Sequence, residues 1–200
     1  RAYQHDPLGW TANLGFRSPT AWMANRFTAS AAGSLVSLGF YASSPGTTYE
    51  MSLFLGGGDT PGSGTRASGP VTGTFETPGW HVVDLPAPVD LAAGQRFDAV
   101  VRLTCPGTET PLPAETAVPG YSERAAAAPG QSYLSPDGSS WQDLTATDPQ
   151  GNLCLKAFVR EAGSPSPTSS PRSGGGGGCD LGFGAAGLLL IPLILRRRRP

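Results

Sequence analysis

Two thiols and two imidazoles in the first 163 residues are the groups that could support nucleophilic catalysis. They are Cys105, Cys154, His5 and His81. A cysteine enzyme needs a thiolate beside a base that an amide or carboxylate holds in place. Cys154 lies in an apolar, strand-like setting where a thiol is normally inert. Neither cysteine stands in the local sequence of a papain-type nucleophile. The sequence therefore predicts that these residues are not an enzyme by themselves.

Large aromatic side chains could bind sugars, because an exposed ring stacks on a pyranose while neighbouring polar groups bind its hydroxyls. The candidates are Trp10, Trp22, Trp80, Trp141 and Tyr121. We predict ligand contact for Trp80, which stands at a strand start, and then for Tyr121 and Trp22. For each residue singly, a role in the core or in packing a turn is the stronger alternative. Trp141 follows Asp137 and Gly138 and is predicted to pin a hairpin.

Metal binding has little support in the sequence. No EF-hand loop or Cys/His cluster is present, and the carboxylates of the middle region are scattered. Those carboxylates are Asp59, Glu76, Asp84, Asp90 and Asp98. The sequence predicts no metal ligands and no cofactor. A calcium ion held by backbone oxygens would leave no motif and stays open.

The composition divides the chain into two unlike parts. Residues 164–200 contain five Arg, one Asp and a single aromatic residue, whereas residues 1–163 carry the other 16 aromatic residues. The first part has nine basic and 14 acidic residues, a net charge of −5. This acidic body lacks the basic surface that nucleic-acid binding needs, so no nucleic-acid partner is expected. High Gly and Pro content with 14% charged residues also excludes a helical bundle.

The hydrophobic pattern of the first part has a period of two, which is typical of half-buried strands. At residues 47–55, Tyr49, Met51, Leu53 and Leu55 share a face opposite Glu50, Ser52 and Phe54. At residues 96–105, Phe97, Ala99, Val101 and Leu103 face away from Asp98, Val100 and Arg102. At residues 34–42, Leu35, Ser37, Gly39 and Tyr41 are predicted to lie opposite Val36, Leu38 and Phe40.

About eight short strands with Gly, Pro and Asp turns predict an all-β fold, an antiparallel, jelly-roll-like β-sandwich over residues 1–163. No stretch keeps a helical period for ten residues. Residues 56–69 are polar and glycine-rich and are predicted to be a loop between strands.

The C-terminal part has the pattern of a spacer followed by a membrane segment. Residues 164–178 form a Ser/Pro/Gly-rich linker, predicted to be disordered, and residues 179–200 begin at Cys179. Residues 181–195 carry no charge and precede four arginines, Arg196 to Arg199. A 15-residue helix would rise about 22 Å, which is marginal against a hydrocarbon core of about 30 Å. We expect a short hydrophobic helix that anchors the protein at the membrane, with the body outside the cell. The alternative is a terminal helix packed in a core.

Six segments of the body follow one another in an order that resembles a known family. They are YQHDPLGW at 3–10, WMANRF at 22–27, GFY at 39–41, GQRF at 94–97, GYS at 120–122 and GQSY at 130–133. They resemble the lectin-like domain that lies C-terminal to papain-like cysteine peptidases in surface proteins of bacteria and archaea. The resemblance runs from Tyr3 to Val159.

The resemblance implies an exported protein whose papain-like peptidase domain precedes this chain in the same precursor. The lack of an initial Met and of a signal peptide also predicts the C-terminal part of a longer protein. The family name implies a glycan or glycoprotein ligand. The alternative function is a structural module that packs against the peptidase and supports it, with no ligand of its own.

The order of features in the tail resembles the bacterial sorting signals called Synerg-CTERM. Glycines at 174–178, Cys179, the apolar run at 181–195 and the terminal arginines match its four parts. The resemblance implies recognition by an envelope sorting protease and removal of the apolar tail. Cys179 would then be the point of processing or lipidation.

Cys105 and Cys154 could form a disulfide in an exported protein. Closing a loop of about 50 residues would stabilise the fold by roughly 4 kcal/mol in the chain-entropy account. The alternative is two separate buried thiols, because the sequence does not show whether the Cα atoms approach within about 7 Å.

Overall fold

The structure, a computed structural model, describes residues 1–161, which form thirteen β-strands and one turn of 3₁₀ helix. The strands are β1 Ala2–Tyr3, β2 Ala12–Leu14, β3 Thr20–Thr28, β4 Gly33–Ala42, β5 Thr47–Leu55, β6 Thr65–Phe75, β7 Gly79–Leu91, β8 Arg96–Thr104, β9 Leu112–Glu115, β10 Ser132–Ser135, β11 Gln142–Asp143, β12 Asn152–Leu153 and β13 Leu155–Glu161. The 3₁₀ turn spans Leu144–Ala146. The described residues contain no α-helix. The predicted all-β class is confirmed.

The strands form an antiparallel sandwich. One sheet has the order β11-β10-β3-β8-β5-β6, a second has the order β1-β13-β4-β7, and a small third sheet has the order β12-β9-β2. Every recorded strand pair is antiparallel. Side chains from both larger sheets, among them Met51 and Phe40, are completely buried in one hydrophobic core.

The alternation predicted for β5 and β8 is confirmed by the burial of their side chains. Met51 and Leu53 on β5 and Val101 on β8 are fully buried, whereas Glu50 on β5 and Arg102 on β8 reach the solvent. Residues on alternate faces of a strand cannot exchange without moving the whole strand. The buried residues therefore determine which polar side chains the six-stranded sheet presents to the outside.

The prediction for β4 is only partly right, because a bulge interrupts the alternation. The pairing of β4 with β7 shifts between Leu35 and Ser37. An extra residue in one strand reverses the faces beyond it. Leu35 therefore joins Leu38 and Phe40 in the core, although the uninterrupted pattern put it on the opposite face.

The loop predicted at residues 56–69 is shorter than expected. Strand β6 begins at Thr65 and pairs with β5, so the loop covers residues 56–64. The β5–β6 register shifts twice, and glycines allow the backbones to approach closely there. A Cβ at Gly69 would collide with the Met51 carbonyl oxygen. The pattern predicts a weak strand from Val71 to Phe75, and low hydrophobicity hid the earlier part of β6 because an edge strand needs little core packing.

Cys105 and Cys154 are separate buried thiols, so the disulfide alternative is wrong for this structure. Cys105 follows β8, and its Sγ lies 3.6 Å from the Pro111 carbonyl oxygen, to which it donates. Cys154 lies between β12 and β13, and burial, together with the nearby Asp6 carboxylate, raises the pKa of its thiol. The two thiols therefore lie in different surroundings. The raised pKa keeps the Cys154 thiol neutral, and a neutral thiol is unreactive.

Candidate functional site

A groove lies on the outer face of the six-stranded sheet. It consists of two adjoining depressions of about 330 and 150 Å³, which share the side chains of Glu50 and Arg102. The smaller depression is lined by Trp22, Phe54, Arg66, Ser52, Val100 and Gly138 as well as the shared pair. The larger is lined by Thr48, Thr72, Thr74 and Thr104, with Tyr49 and Gly73 at its base. The groove thus combines aromatic rings, hydroxyl groups and charged side chains.

The strand register brings these residues together. In one row across the sheet, Trp22 pairs with Arg102, Arg102 with Glu50, and Glu50 with Thr72. Directly paired residues of antiparallel strands lie on the same face. The next row contains only threonines: Thr20, Thr104, Thr48 and Thr74. Four strands, β3, β8, β5 and β6, therefore contribute to one surface.

Trp22 is half-buried at one side of the groove, where it rests on a turn. A Cβ at Gly138 would lie 2.8 Å from Trp22 Nε1, so the indole covers this glycine directly. Gly138 has a φ of 76° and belongs to a turn held by Asp137, whose carboxylate accepts bonds from Ser139 and Ser140. These bonds lower the pKa of the Asp137 carboxyl. The ring is therefore fixed by the hairpin between β10 and β11.

Two guanidinium groups lie over aromatic rings in the groove. The Arg102 guanidinium carbon is 5.4 Å from the centre of the Trp22 ring, and that of Arg66 is 5.5 Å from the centre of Phe54. Cations at this distance are attracted by the ring quadrupole. Glu50 Oε2 lies 3.8 Å from Arg102 Nη1, which is too long for a hydrogen bond.

The loop at residues 56–64 packs beside Phe54, which lines the smaller depression. Asp98 is fully buried beneath it and accepts hydrogen bonds from Arg26 Nε at 2.8 Å, Arg26 Nη2 at 3.2 Å and the Gly62 backbone at 3.1 Å. Arg26 also donates to the Asp59 carbonyl oxygen. The hydrogen bonds to Asp98 raise the pKa of Arg26. Because Arg26 and Asp98 are each hydrogen-bonded to the backbone of the loop, at Asp59 and Gly62, the ion pair holds the loop against the sheet.

A second group of ionisable side chains is buried under the N-terminal segment. Lys156 Nζ lies 2.9 Å from Asp6 Oδ2, and the Glu115 carboxylate accepts from the backbone nitrogens of Leu8 and Gly9. Burial raises the pKa of both carboxyls. Among the described residues, Oδ1 of Asp6 and Oε1 of Glu115 have no hydrogen-bond partner. This group fastens residues 4–9 to the sandwich.

The structure places the three predicted ligand residues apart. Only Trp22 lies in the groove. Trp80 is 36% exposed on the outer face of the four-stranded sheet, where its ring packs over Gly39 and lies 4.9 Å from Tyr41. Tyr121 is 78% exposed in the loop before β10, beside Leu8 and Arg124.

Sequence reasoning missed four side chains of the groove, namely Glu50, Phe54, Arg66 and Arg102. Three of them were on strand faces predicted to point away from the core. Phe54 was the available signal for a binding surface, because a phenylalanine on a polar face of a strand is not explained by packing in the core. Nothing in the sequence indicated Arg66 as a site residue, because residues 56–69 are predicted to be a loop.

The described residues include no group of three His, Cys, Asp or Glu side chains that could hold a metal ion. Within this same part of the chain, no helix is both long and apolar enough to cross a bilayer. The linker at 164–178, the apolar run at 181–195 and Cys179 lie outside the described residues and stay predictions.

The family model of the lectin-like domain matches residues 2–159. The chain belongs to this family. Its lectin-like domain is similar in structure to that of the Clostridial cysteine protease Cwp84 after propeptide cleavage, with a TM-score of 0.63 and 24% identity. A structure of the cysteine protease and lectin-like domains of Cwp84, a surface layer associated protein of Clostridium difficile, gives a TM-score of 0.59 and 24% identity.

The two alignments cover 81% and 72% of this chain but only 40% and 33% of the solved chains. The chain therefore spans less than half the length of the solved proteins that it matches. At this level of identity the similarity establishes the fold. A search of curated proteins gives no match for the chain.

Proposed function

We propose that the lectin-like domain is a non-catalytic accessory domain that binds glycans for an exported cysteine peptidase of the cell surface. Two observations support the pairing with a peptidase: the family match over residues 2–159 and the likeness to solved chains that carry a cysteine protease domain. In this proposal the peptidase domain belongs to the same precursor and precedes this chain. The accessory domain then concentrates the peptidase on glycans or glycoprotein.

The groove on the six-stranded sheet is the observation that carries the glycan proposal. Sugar binding needs an aromatic face with hydrogen-bonding groups around it. The Trp22 and Phe54 rings supply apolar surface, and the hydroxyls of Thr72 and Thr74 stand exposed beside the Glu50 carboxylate. Because the rings are held by a hairpin and by arginines, little side-chain entropy is lost when a ligand binds.

Replacing Trp22 with Ala in residues 1–163 is expected to weaken retention on a binding polysaccharide by about tenfold or more, because the apolar contact surface of the indole is lost and Arg102 is no longer held in place. The polysaccharide is first found on a glycan array and then used in affinity electrophoresis. Trp80→Ala is the matched control, since it removes the same residue type from the outer face of the other sheet. Equal losses in the two variants would contradict the assignment of the site to the groove.

The alternative function is a structural module that packs against the peptidase. Trp80 and Val82 favour it, because they expose 36% and 51% of their surface on the four-stranded sheet, where such apolar side chains would suit an interface. In that case the isolated domain is retained by no polysaccharide, and deleting it from the precursor lowers the thermal stability of the peptidase domain.

The tail carries a separate proposal, anchoring in the cell envelope through residues 179–200. Cys179→Ser, or Asp in place of two residues among Leu188 to Leu190, is expected to move the full-length protein out of the envelope fraction or to change its processed size. The physical reason is the loss of the processing point or of the apolar run. Cell fractionation with immunoblotting measures both effects, and unchanged fractionation in both variants would remove the anchor proposal.

A further inference from the structure

The groove contains two guanidinium groups that make no hydrogen bond to another described residue. Among the described residues, Arg66 takes part in no ion pair, and the nearest carboxylate to Arg102 is the Glu50 oxygen at 3.8 Å. Arg26, on the same face of the sheet, instead donates to both oxygens of Asp98 at 2.8 and 3.2 Å. The arginine under the loop is therefore neutralised, whereas the two that line the groove keep free donors.

Both groove arginines are exposed, and both are oriented by the rings beneath them. The ring contacts at 5.4 and 5.5 Å hold the planes of the guanidinium groups without consuming their N–H donors. A guanidinium has five donors in a planar fork that fits a carboxylate or phosphate. An arginine held in place in this way loses less entropy when it binds an anion.

The surroundings of the groove make this charge unusual. The first 163 residues carry a net charge of −5, whereas the smaller depression has two arginines and one carboxylate, Glu50. A polyanion is repelled by such a body at long range. Retention of an acidic polymer would therefore depend on this local pair of cations.

From these contacts we infer that the groove binds an acidic polysaccharide, with Arg66 and Arg102 pairing with its carboxylate or phosphate groups. The sugar rings of the polymer contact the Trp22 and Phe54 side chains beside the guanidinium groups, and Glu50 accepts hydrogen bonds from sugar hydroxyls. This inference rests on the proposed function and names its ligand class. Carboxylate and phosphate share the chemistry that a guanidinium recognises.

The test uses residues 1–163 in affinity electrophoresis on four polymers. Polygalacturonate is compared with its fully methyl-esterified form, and phosphomannan with dephosphorylated mannan. We expect retention on at least one acidic polymer to exceed retention on its neutral counterpart by about tenfold. The acidic polymer that retains the domain then identifies the anion as carboxylate or phosphate.

The double variant Arg66→Gln/Arg102→Gln is expected to lose that retention by about tenfold or more. The control is Arg124→Gln/Arg160→Gln, which changes the net charge equally at exposed arginines outside the groove. Equal losses in the two double variants would overturn the inference, as would retention on the acidic polymer that survives both pairs of substitutions.

Outcomes on the neutral polymers separate this inference from the proposed function. Equal, Trp22-dependent retention on neutral and acidic forms would overturn the acidic ligand class while leaving glycan binding in place. If none of these polymers and no glycan on the array retains the domain, both proposals are overturned.

Discussion

Replacing Lys156 with Met is expected to lower the free energy of unfolding of residues 1–163 by about 3–5 kcal/mol at pH 8. The reason is that Asp6 is fully buried and Lys156 is only 14% exposed, so the variant leaves a buried carboxylate without its cation. The variant also loses the hydrogen bonds from Lys156 Nζ to Gln4 Oε1 and to the Asp6 carbonyl oxygen. Urea denaturation monitored by tryptophan fluorescence measures the change.

A second substitution separates charge from packing at this site. The double variant Lys156→Met/Asp6→Asn removes both charges and is expected to recover most of the lost stability, because no buried charge remains uncompensated. If Lys156→Met alone stays within about 1 kcal/mol of the parent, the ion pair does not hold the N-terminal segment.

The effect of Lys156→Met depends on pH in a direction that the pKa shifts determine. Burial raises the pKa of Asp6 and Glu115, so the folded state holds these protons more tightly than the unfolded chain. Their contribution to stability is therefore full below about pH 4 and is lost as the pH rises through the raised pKa values. Removing the lysine raises the pKa of Asp6 further, so the variant loses more stability at about pH 8 than at about pH 5.

Other ionisable groups near the N-terminal segment contribute to the pH dependence of both proteins. Burial lowers the pKa of His5, so its contribution to stability is lost as the pH falls below about 6.5. Burial likewise raises the pKa of the Cys154 and Tyr41 side chains. Both stay uncharged between about pH 5 and pH 8, so in this range the difference between parent and variant reports on the carboxyl groups that face Lys156 and on His5, which is affected by the charge of Asp6.

Replacing Asp98 with Asn is expected to cost about 3–5 kcal/mol and to release the loop at residues 56–64. Arg26 is only 11% exposed and would keep its charge without a counter-ion. An asparagine amide also has only one acceptor oxygen, whereas the Asp98 carboxylate uses both of its oxygens to accept from Arg26 and Gly62. Urea denaturation gives the stability change, and amide hydrogen exchange of residues 56–64 reports the release of the loop.

Asp59→Asn is the matched control for this prediction. Asp59 is exposed in the same loop and contributes only its backbone oxygen to Arg26, so its side chain should matter by less than about 0.5 kcal/mol. Equal costs for the two variants, or unchanged exchange of the loop in Asp98→Asn, would show that the ion pair does not hold the loop against the sheet.

The polar face that forms the groove was predictable strand by strand. The alternation in β5 put Glu50, Ser52 and Phe54 opposite the core, and that in β8 did the same for Arg102, as the burial of their neighbours confirms. When every second residue of a strand is buried in the core, the residues between them must lie on the opposite face of the sheet. The predicted turn at Gly138 is likewise present, with its positive φ.

Other features could not be predicted because they depend on contacts between distant segments. The bulge opposite β7 moves Leu35 into the core, and the first part of β6, from Thr65, pairs with β5 despite its glycines and polar residues. Pairing with a neighbouring strand satisfies the backbone whatever the side chains are. The same limit applies to Cys105 and Cys154, whose separation depends on where two loops pack.

The amino-acid pattern alone determined the all-β class and the faces of β5 and β8, because these depend on periodicity and local composition. The ordered segments of the body carried the resemblance to the family. Only the tertiary structure decided that Trp22, Arg102, Glu50 and Thr72 form one row and that Trp80 lies on the other sheet. Strand order and register arise from packing between residues far apart in the chain, and no local signal encodes them. A binding surface built from four strands becomes visible only when those strands are side by side.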